Sequence, residues 1–308
     1  MTARTNVAAS TVRPLSLGEI LDRAVTLAVR NFIPLAAAFV LVQIVNSALY
    51  HQGHSVSSVF YSMAFAGSDI ARSEARSPFL WLSAGFTFLI TPLSSAALVI
   101  LGARAVLGER LSVGSAYRKA LARWPSFIAI GAIGFVAEQA MFIGPILILG
   151  RILNWIGHGN PLLSALVLLI GLAATLMVIA ATSSIAMIGY AAAYSFIVEG
   201  RGFFNGVIAS VRRALNRSSR RQTIAAGAAL FAIMFGTLIL EGAAMGISVD
   251  LFRAPALGLV ATGLIFVAVV PLLTMFGAVY YFDLRVREGG VEPIVSGFSD
   301  PVRTSQRA

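Results

Sequence analysis

The sequence predicts an all-α integral membrane protein with six transmembrane helices, cytoplasmic amphipathic surface helices between them and a threefold repeat of helical hairpins. Three observations carry this. The 308 residues are 58% hydrophobic and only 12% charged, about half the charged share of an ordinary soluble domain. Mean hydropathy is +0.85. Apolar stretches long enough to cross a bilayer, about 20 residues or more, recur along the chain. A soluble enzyme, a disordered tail and a secreted disulfide scaffold are excluded. With no cysteine, disulfide and thiolate chemistry are excluded too.

Six apolar segments are the expected spans: 32–50, 80–103, 126–150, 162–197, 223–246 and 256–282. The first starts after some thirty polar or amphipathic residues, with no small-x-small cleavage site behind it. It is therefore expected to stay as a span rather than leave as a signal peptide. The membrane domain is placed at 15–292, between tails 1–14 and 293–308.

Charge fixes the threading. Of 23 basic residues, 19 fall in 1–31, 104–125, 198–222 and the tail after the last span. Only Arg72, Arg76, Arg151 and Arg253 fall on the other side. This positive-inside asymmetry predicts a plasma (inner) membrane protein with both termini cytoplasmic. Charges lying between apolar spans point to anionic lipid head groups as partners and not to nucleic acid.

The fourth segment is unusual. No Asp, Glu, Lys or Arg lies between Arg151 and Glu199. As one helix, 162–197 would be about 54 Å long, beyond a ~30 Å hydrocarbon core. Two spans here would put the arginines of 198–222 outside. One long or broken helix is expected, bent near Gly189, with part of it re-entrant or projecting.

Two markers recur with nearly one period. Ala24, Ala120 and Ala214 anchor similar basic segments, 96 and 94 residues apart. Gly108-Glu109, Glu199-Gly200 and Glu288-Gly289 follow the second, fourth and sixth spans. Each unit reads as surface helix, outward span, outer loop and return span. In the first surface helix Ser16 and Glu19 make a capping box. Leu17, Ile20, Leu21, Ala24 and Ala28 form its apolar stripe. Val113, Ala116, Tyr117, Ala120, Leu121 and Trp124 form the second stripe, and Phe204, Val207, Ile208, Val211 and Leu215 the third. Such helices are expected to lie flat in the head-group plane, stripe toward lipid.

Leu15-Ser16-Leu17-Gly18-Glu19-Ile20-Leu21-Asp22-Arg23-Ala24, with Phe32 opening the first span, resembles the start of the glycerophosphoryl diester phosphodiesterase membrane-domain family. Val198-Glu199-Gly200 and the basic helix after it resemble the family's middle. Tyr280-Tyr281-Phe282-Asp283-Leu284-Arg285-Val286-Arg287-Glu288-Gly289 resembles its closing signature. The middle helix departs from the family pattern, with Ala209-Ser210-Val211-Arg212-Arg213 at the nearest register. The resemblance covers about 15–292 and implies a multi-pass membrane domain without the soluble catalytic barrel.

Candidate sites follow from charge and depth. Glu138, Gln139 and Glu241 fall inside predicted spans, and Gln43 and Asn46 could join them in a polar core. An ionisable group at that depth is costly. It carries a proton or cation, or it is packing glue between helices. Pro92 and Pro271 predict kinks. Arg118, Lys119, Arg123, Arg212, Arg213, Arg217, Arg285 and Arg287 are the candidate head-group cations. Asp283, Arg285, Arg287 and Glu288 read either as an ion-pair cluster ending the last span or as a phosphate site. His51 and His54 are too few for a zinc site. Neither a phosphate-binding loop nor a nucleophile elbow is present. No catalytic residue, cofactor or metal is expected. The leading functional reading is a non-catalytic lipid-facing or scaffold membrane domain. Its rival is a small transporter or channel using Glu138.

Overall fold

The computed structural model of the chain describes residues 13–40, 42, 44–45, 82, 84–128 and 161–288. Helices account for the architecture of these residues, and no strand occurs among them. In order they are α1 (Leu17–Arg30), α2 (Phe32–Ala37), α3 (Thr91–Val106), α4 (Val113–Leu121), α5 (Pro161–Val198), α6 (Phe203–Leu215), α7 (Arg220–Gly246) and α8 (Pro255–Arg287). A π-helical turn, Phe86–Ile90, leads into α3, and another, Ile247–Leu251, continues α7. The wider turn before Pro92 sits where proline removes a backbone donor.

Four helical stretches among the described residues are long and apolar enough to cross a membrane: Phe88–Val106, Ala181–Val198, Arg220–Leu251 and Ala256–Arg287. They coincide with the second, fourth, fifth and sixth predicted spans. Of the first span only 32–40, 42, 44 and 45 are described, and of the third only 126–128. The fourth segment is one continuous α-helix of 38 residues, running through Gly189 without a break. With no charge or proline after its first residue, nothing in its sequence interrupts the ladder.

Helix α8 is the hub, packing against α1, α2, α3, α5 and α7. The core lies where these helices meet, with Tyr194, Met275, Phe276, Tyr280 and Tyr281 fully buried. Small residues set the closest approaches. A Cβ on Gly227 would lie 2.5 Å from Ser184 Oγ and 2.7 Å from its Cα, so α5 and α7 touch at backbone level. A Cβ on Gly102 would lie 2.6 Å from the Tyr194 hydroxyl, which donates to the Thr274 carbonyl at 2.9 Å.

The short helices pack in a pattern. Helix α1 lies on α8, α4 on α3 and α6 on α5, so each lies on a helix that ends a predicted hairpin. Ala24, Ala120 and Ala214, the three repeat anchors, are all fully buried. The predicted lipid-facing stripe is overturned in α1 but not in α6. In α1 the stripe meets protein, with Ile20 and Ala24 fully buried. In α6 the stripe faces out, Phe204 being 75% exposed, while Gly206, Ser210, Arg213 and Ala214 face in. Alanine, serine and glycine allow the close approach that the bulkier stripe of α6 would prevent.

Ser16 caps α1 as its spacing predicts. Its hydroxyl accepts from the Glu19 amide, and Glu19 accepts from the Ser16 amide at 2.7 Å. Gly108 and Gly200 take left-handed φ angles of +71° and +65° just past α3 and α5. These are the positions where glycine ends a helix at least cost.

Candidate functional site

The end of the molecule where α5 and α8 finish and α7 begins carries a dense polar junction. Glu199 follows α5 directly. Arg213, one helical position before the buried Ala214, projects inward from α6 and is 3% exposed. Its two terminal nitrogens donate to the two Glu199 oxygens at 2.7 and 3.0 Å. This is a bidentate guanidinium–carboxylate pair. The Arg213 Nε donates to Glu288 at 2.8 Å, and Nη1 also donates to the Ser195 hydroxyl at 2.8 Å. Ser195 and Ser210 share a hydrogen bond of 3.2 Å.

The last turns of α8 supply the rest. The Tyr281 hydroxyl donates to Glu199 at 2.6 Å, and Tyr281 stacks on Tyr194 with ring centroids 5.6 Å apart. Arg285 donates to Glu288 at 2.9 Å and lies 3.6 Å from Glu199. The Tyr280 hydroxyl donates to Thr223 of α7 at 2.8 Å, and Thr223 donates to the Ala214 carbonyl at 3.0 Å.

Asp283 and Arg287 form a second clasp. The Leu15 amide donates to Asp283 at 2.6 Å, and Arg287 Nη2 donates to the Leu15 carbonyl at 2.7 Å. Arg287 Nε closes the triangle on Asp283 at 2.7 Å. One residue's backbone is thus held at both its donor and its acceptor, which seats α1 on α8.

Electrostatics follow from this packing. Burial alone would push the Glu199 carboxyl up. Hydrogen bonds from Arg213 and Tyr281, with the charges of Arg213 and Arg285, outweigh burial and hold it at about 2. Burial would likewise lower Arg213, but Glu199 and Glu288 keep it above its usual value. Buried charges tolerate the loss of water only when paired this completely.

The predicted cations therefore separate. Arg213, Arg285 and Arg287 are held by carboxylates. Arg123 donates to the Phe196 carbonyl at 2.9 Å and lies over its ring at 5.4 Å. Lys119 is half-buried on α4, and Arg118 is exposed beside it. Arg212 and Arg217 are exposed, as are Arg220 and Arg221 at the start of α7. Leu215, Arg217, Arg220, Arg221 and Ile224 line a groove of about 610 Å³. Arg201, Asn205, Ile208, Ala209 and Arg212 line a smaller one of about 310 Å³.

Of the predicted intramembrane polar residues, Glu138, Gln139, Gln43 and Asn46 lie outside the described residues. Glu241 lies on α7, half-buried, and its buried Oε1 has no hydrogen-bond partner among the described residues. No group of three or more metal-binding side chains occurs among the described residues.

Charge counting along the sequence missed the centre of the junction. Glu199, Tyr281, Ser195 and Ser210 were not among its candidates. The signal was there in the paired short motifs, Val198-Glu199-Gly200 and Tyr280 through Glu288, whose polar residues meet here. Compared with protein-family models, with curated proteins and with solved structures, the chain matches none.

Proposed function

We propose that this membrane-embedded chain is a non-catalytic, lipid-facing scaffold domain whose cytoplasmic end binds anionic head groups. The observation that carries the reading is the division among its arginines. Those turned inward are neutralised by Glu199, Glu288 and Asp283. Arg212, Arg217, Arg220 and Arg221 are exposed at the same end, and none has a carboxylate partner among the described residues. A basic residue near an anionic leaflet contributes about 1 kcal/mol, so four together make a substantial attraction.

The same reading keeps six spans, both termini cytoplasmic, and three repeated units. The burial of Ala24, Ala120 and Ala214 supports the repeat. So does the left-handed glycine after α3 and after α5. It also keeps the resemblance to the glycerophosphoryl diester phosphodiesterase membrane-domain family. In that reading the closing signature is a structural fastener, because Tyr280, Tyr281, Asp283, Arg287 and Glu288 each hydrogen-bond another segment of the chain.

Native mass spectrometry of the purified protein tests the proposal. Anionic phospholipid should be retained over zwitterionic lipid. Retention of neither, or of a defined small solute instead, would overturn it. Sidedness is tested with single cysteines. Asp250→Cys should react with an impermeant thiol reagent from outside and Ser218→Cys only from inside. Ser218 is the better choice on that loop because Ser219 is buried.

A further inference from the structure

We infer that the groove between the end of α6 and the start of α7 is a site for one anionic phospholipid, its phosphate held by Arg217, Arg220 and Arg221. The inference rests on the head-group reading above and narrows it to one place and one class of ligand.

The site is built from two kinds of surface. Three guanidinium groups lie within five residues, on either side of the Ser218-Ser219 turn. None of the three has a carboxylate partner among the described residues. That contrasts with Arg213 and Arg287 close by, both of which are ion-paired. A guanidinium offers fixed donors that match the oxygens of a phosphate ester. The first turn of α7 adds the positive end of a 27-residue helix.

The flanks are apolar and open. Leu215 is 57% exposed and Ile224 is 55% exposed. Ile224 lies on the same side of α7 as the exposed Phe235, Leu238 and Ile239, and the helix has the length and composition of a membrane span. A phosphate seated at the arginines would therefore have apolar surface leading away along α7. A free phosphate has no use for that surface, whereas a glycerophospholipid has. The volume, about 610 Å³, is in the range of small-ligand sites.

The turn is held from below, which fixes the arginines relative to one another. Ser219 and Arg220 amides donate to the Asn216 carbonyl at 2.9 and 2.8 Å. Thr223 ties the same turn to the Ala214 carbonyl and to Tyr280 of α8. The groove is thus anchored to the buried junction without using its ion pairs.

The test uses the full chain in detergent, titrated with phosphatidylglycerol or phosphatidylcholine and read by native mass spectrometry. The wild type should hold one phosphatidylglycerol more tightly than the rest. R217Q/R220Q/R221Q should weaken that first adduct about a hundredfold, at about fivefold per arginine. R30Q/R110Q, at exposed arginines elsewhere, should retain it. Equal losses in both variants, or none in the triple variant, would overturn the groove as the site while leaving general head-group binding intact. No preference for phosphatidylglycerol even in the wild type would overturn both readings. Glycerol phosphate competing as well as the intact lipid would overturn the phospholipid assignment. A measurement on the wild type covers the case of a triple variant that does not fold. A photoactivatable phosphatidylglycerol should cross-link to the peptide containing 215–224, and cross-linking spread evenly over other segments would overturn the inference.

Discussion

Arg213 and Glu199 face each other across the loop between α5 and α6, joined by two parallel hydrogen bonds of 2.7 and 3.0 Å. Neighbouring Arg212 points the other way and is exposed. One helical step of about 100° separates a structural cation from one left facing outward.

Replacing Arg213 with glutamine should destabilise the protein by about 3 kcal/mol, because Glu199 is left buried without its main partner. R213K should recover only part of this, since an ammonium cannot make the paired contact. Thermal unfolding in detergent measures both. A melting temperature equal to wild type for R213Q would contradict a structural role for the pair.

Acid should unfold the protein through the same pair. Glu199 titrates at about 2 in the folded protein, below its usual 4.5. Its contribution is therefore complete above about 4.5 and is lost as pH falls toward 2. The contribution is on the order of 3 kcal/mol. Glu199→Gln should be less stable near neutral pH and should show a flatter acid limb than wild type. Parallel acid limbs would assign the acid sensitivity to other groups.

Asp283→Asn should loosen α1 specifically. It removes the charge that Arg287 neutralises and weakens the grip on the Leu15 amide. Amide hydrogen exchange should rise across 15–30 while α5 and α7 keep their protection. Uniform loss of protection would mean that the clasp holds the whole bundle and not one helix.

Gly227→Ala should cost about 1–3 kcal/mol by overpacking, because the new methyl would meet the backbone of Ser184. Gly236→Ala is the control, with open space around its Cβ position. It should be neutral or slightly stabilising through helix propensity. Equal effects would show that α5 and α7 can separate freely.

What the sequence disclosed depended on distance along the chain. The Ser16–Glu19 cap was readable because its partners are three residues apart and obey a local rule. The unbroken α5 was readable in part: the absence of charge marked a long apolar helix, but not whether it broke at Gly189. The inward face of α6 was not readable. Hydropathy marks Phe204, Ile208 and Leu215 as an outward, lipid-facing stripe but does not say which residues meet protein; close packing against α5 selects Gly206, Ser210 and Ala214. The hub role of α8 was hidden for a similar reason. Asp283, Arg285 and Arg287 look alike as charges at a helix end, and only the fold assigns one to Leu15, one to Glu288 and one to the closing of the clasp.

The clasp between Leu15 and Asp283 spans 268 residues of sequence, and this sets an order of events during synthesis. Helix α1 leaves the ribosome early, but its docking surface is made last. At ordinary translation speeds the delay is roughly 10–50 s. Throughout it, Ile20, Ala24 and Ala28 have no α8 to cover them. The last turn of α8 is then the piece that fastens the first helix. A chain stopped short of Asp283 lacks the carboxylate that holds the Leu15 amide, so it cannot seat its own beginning.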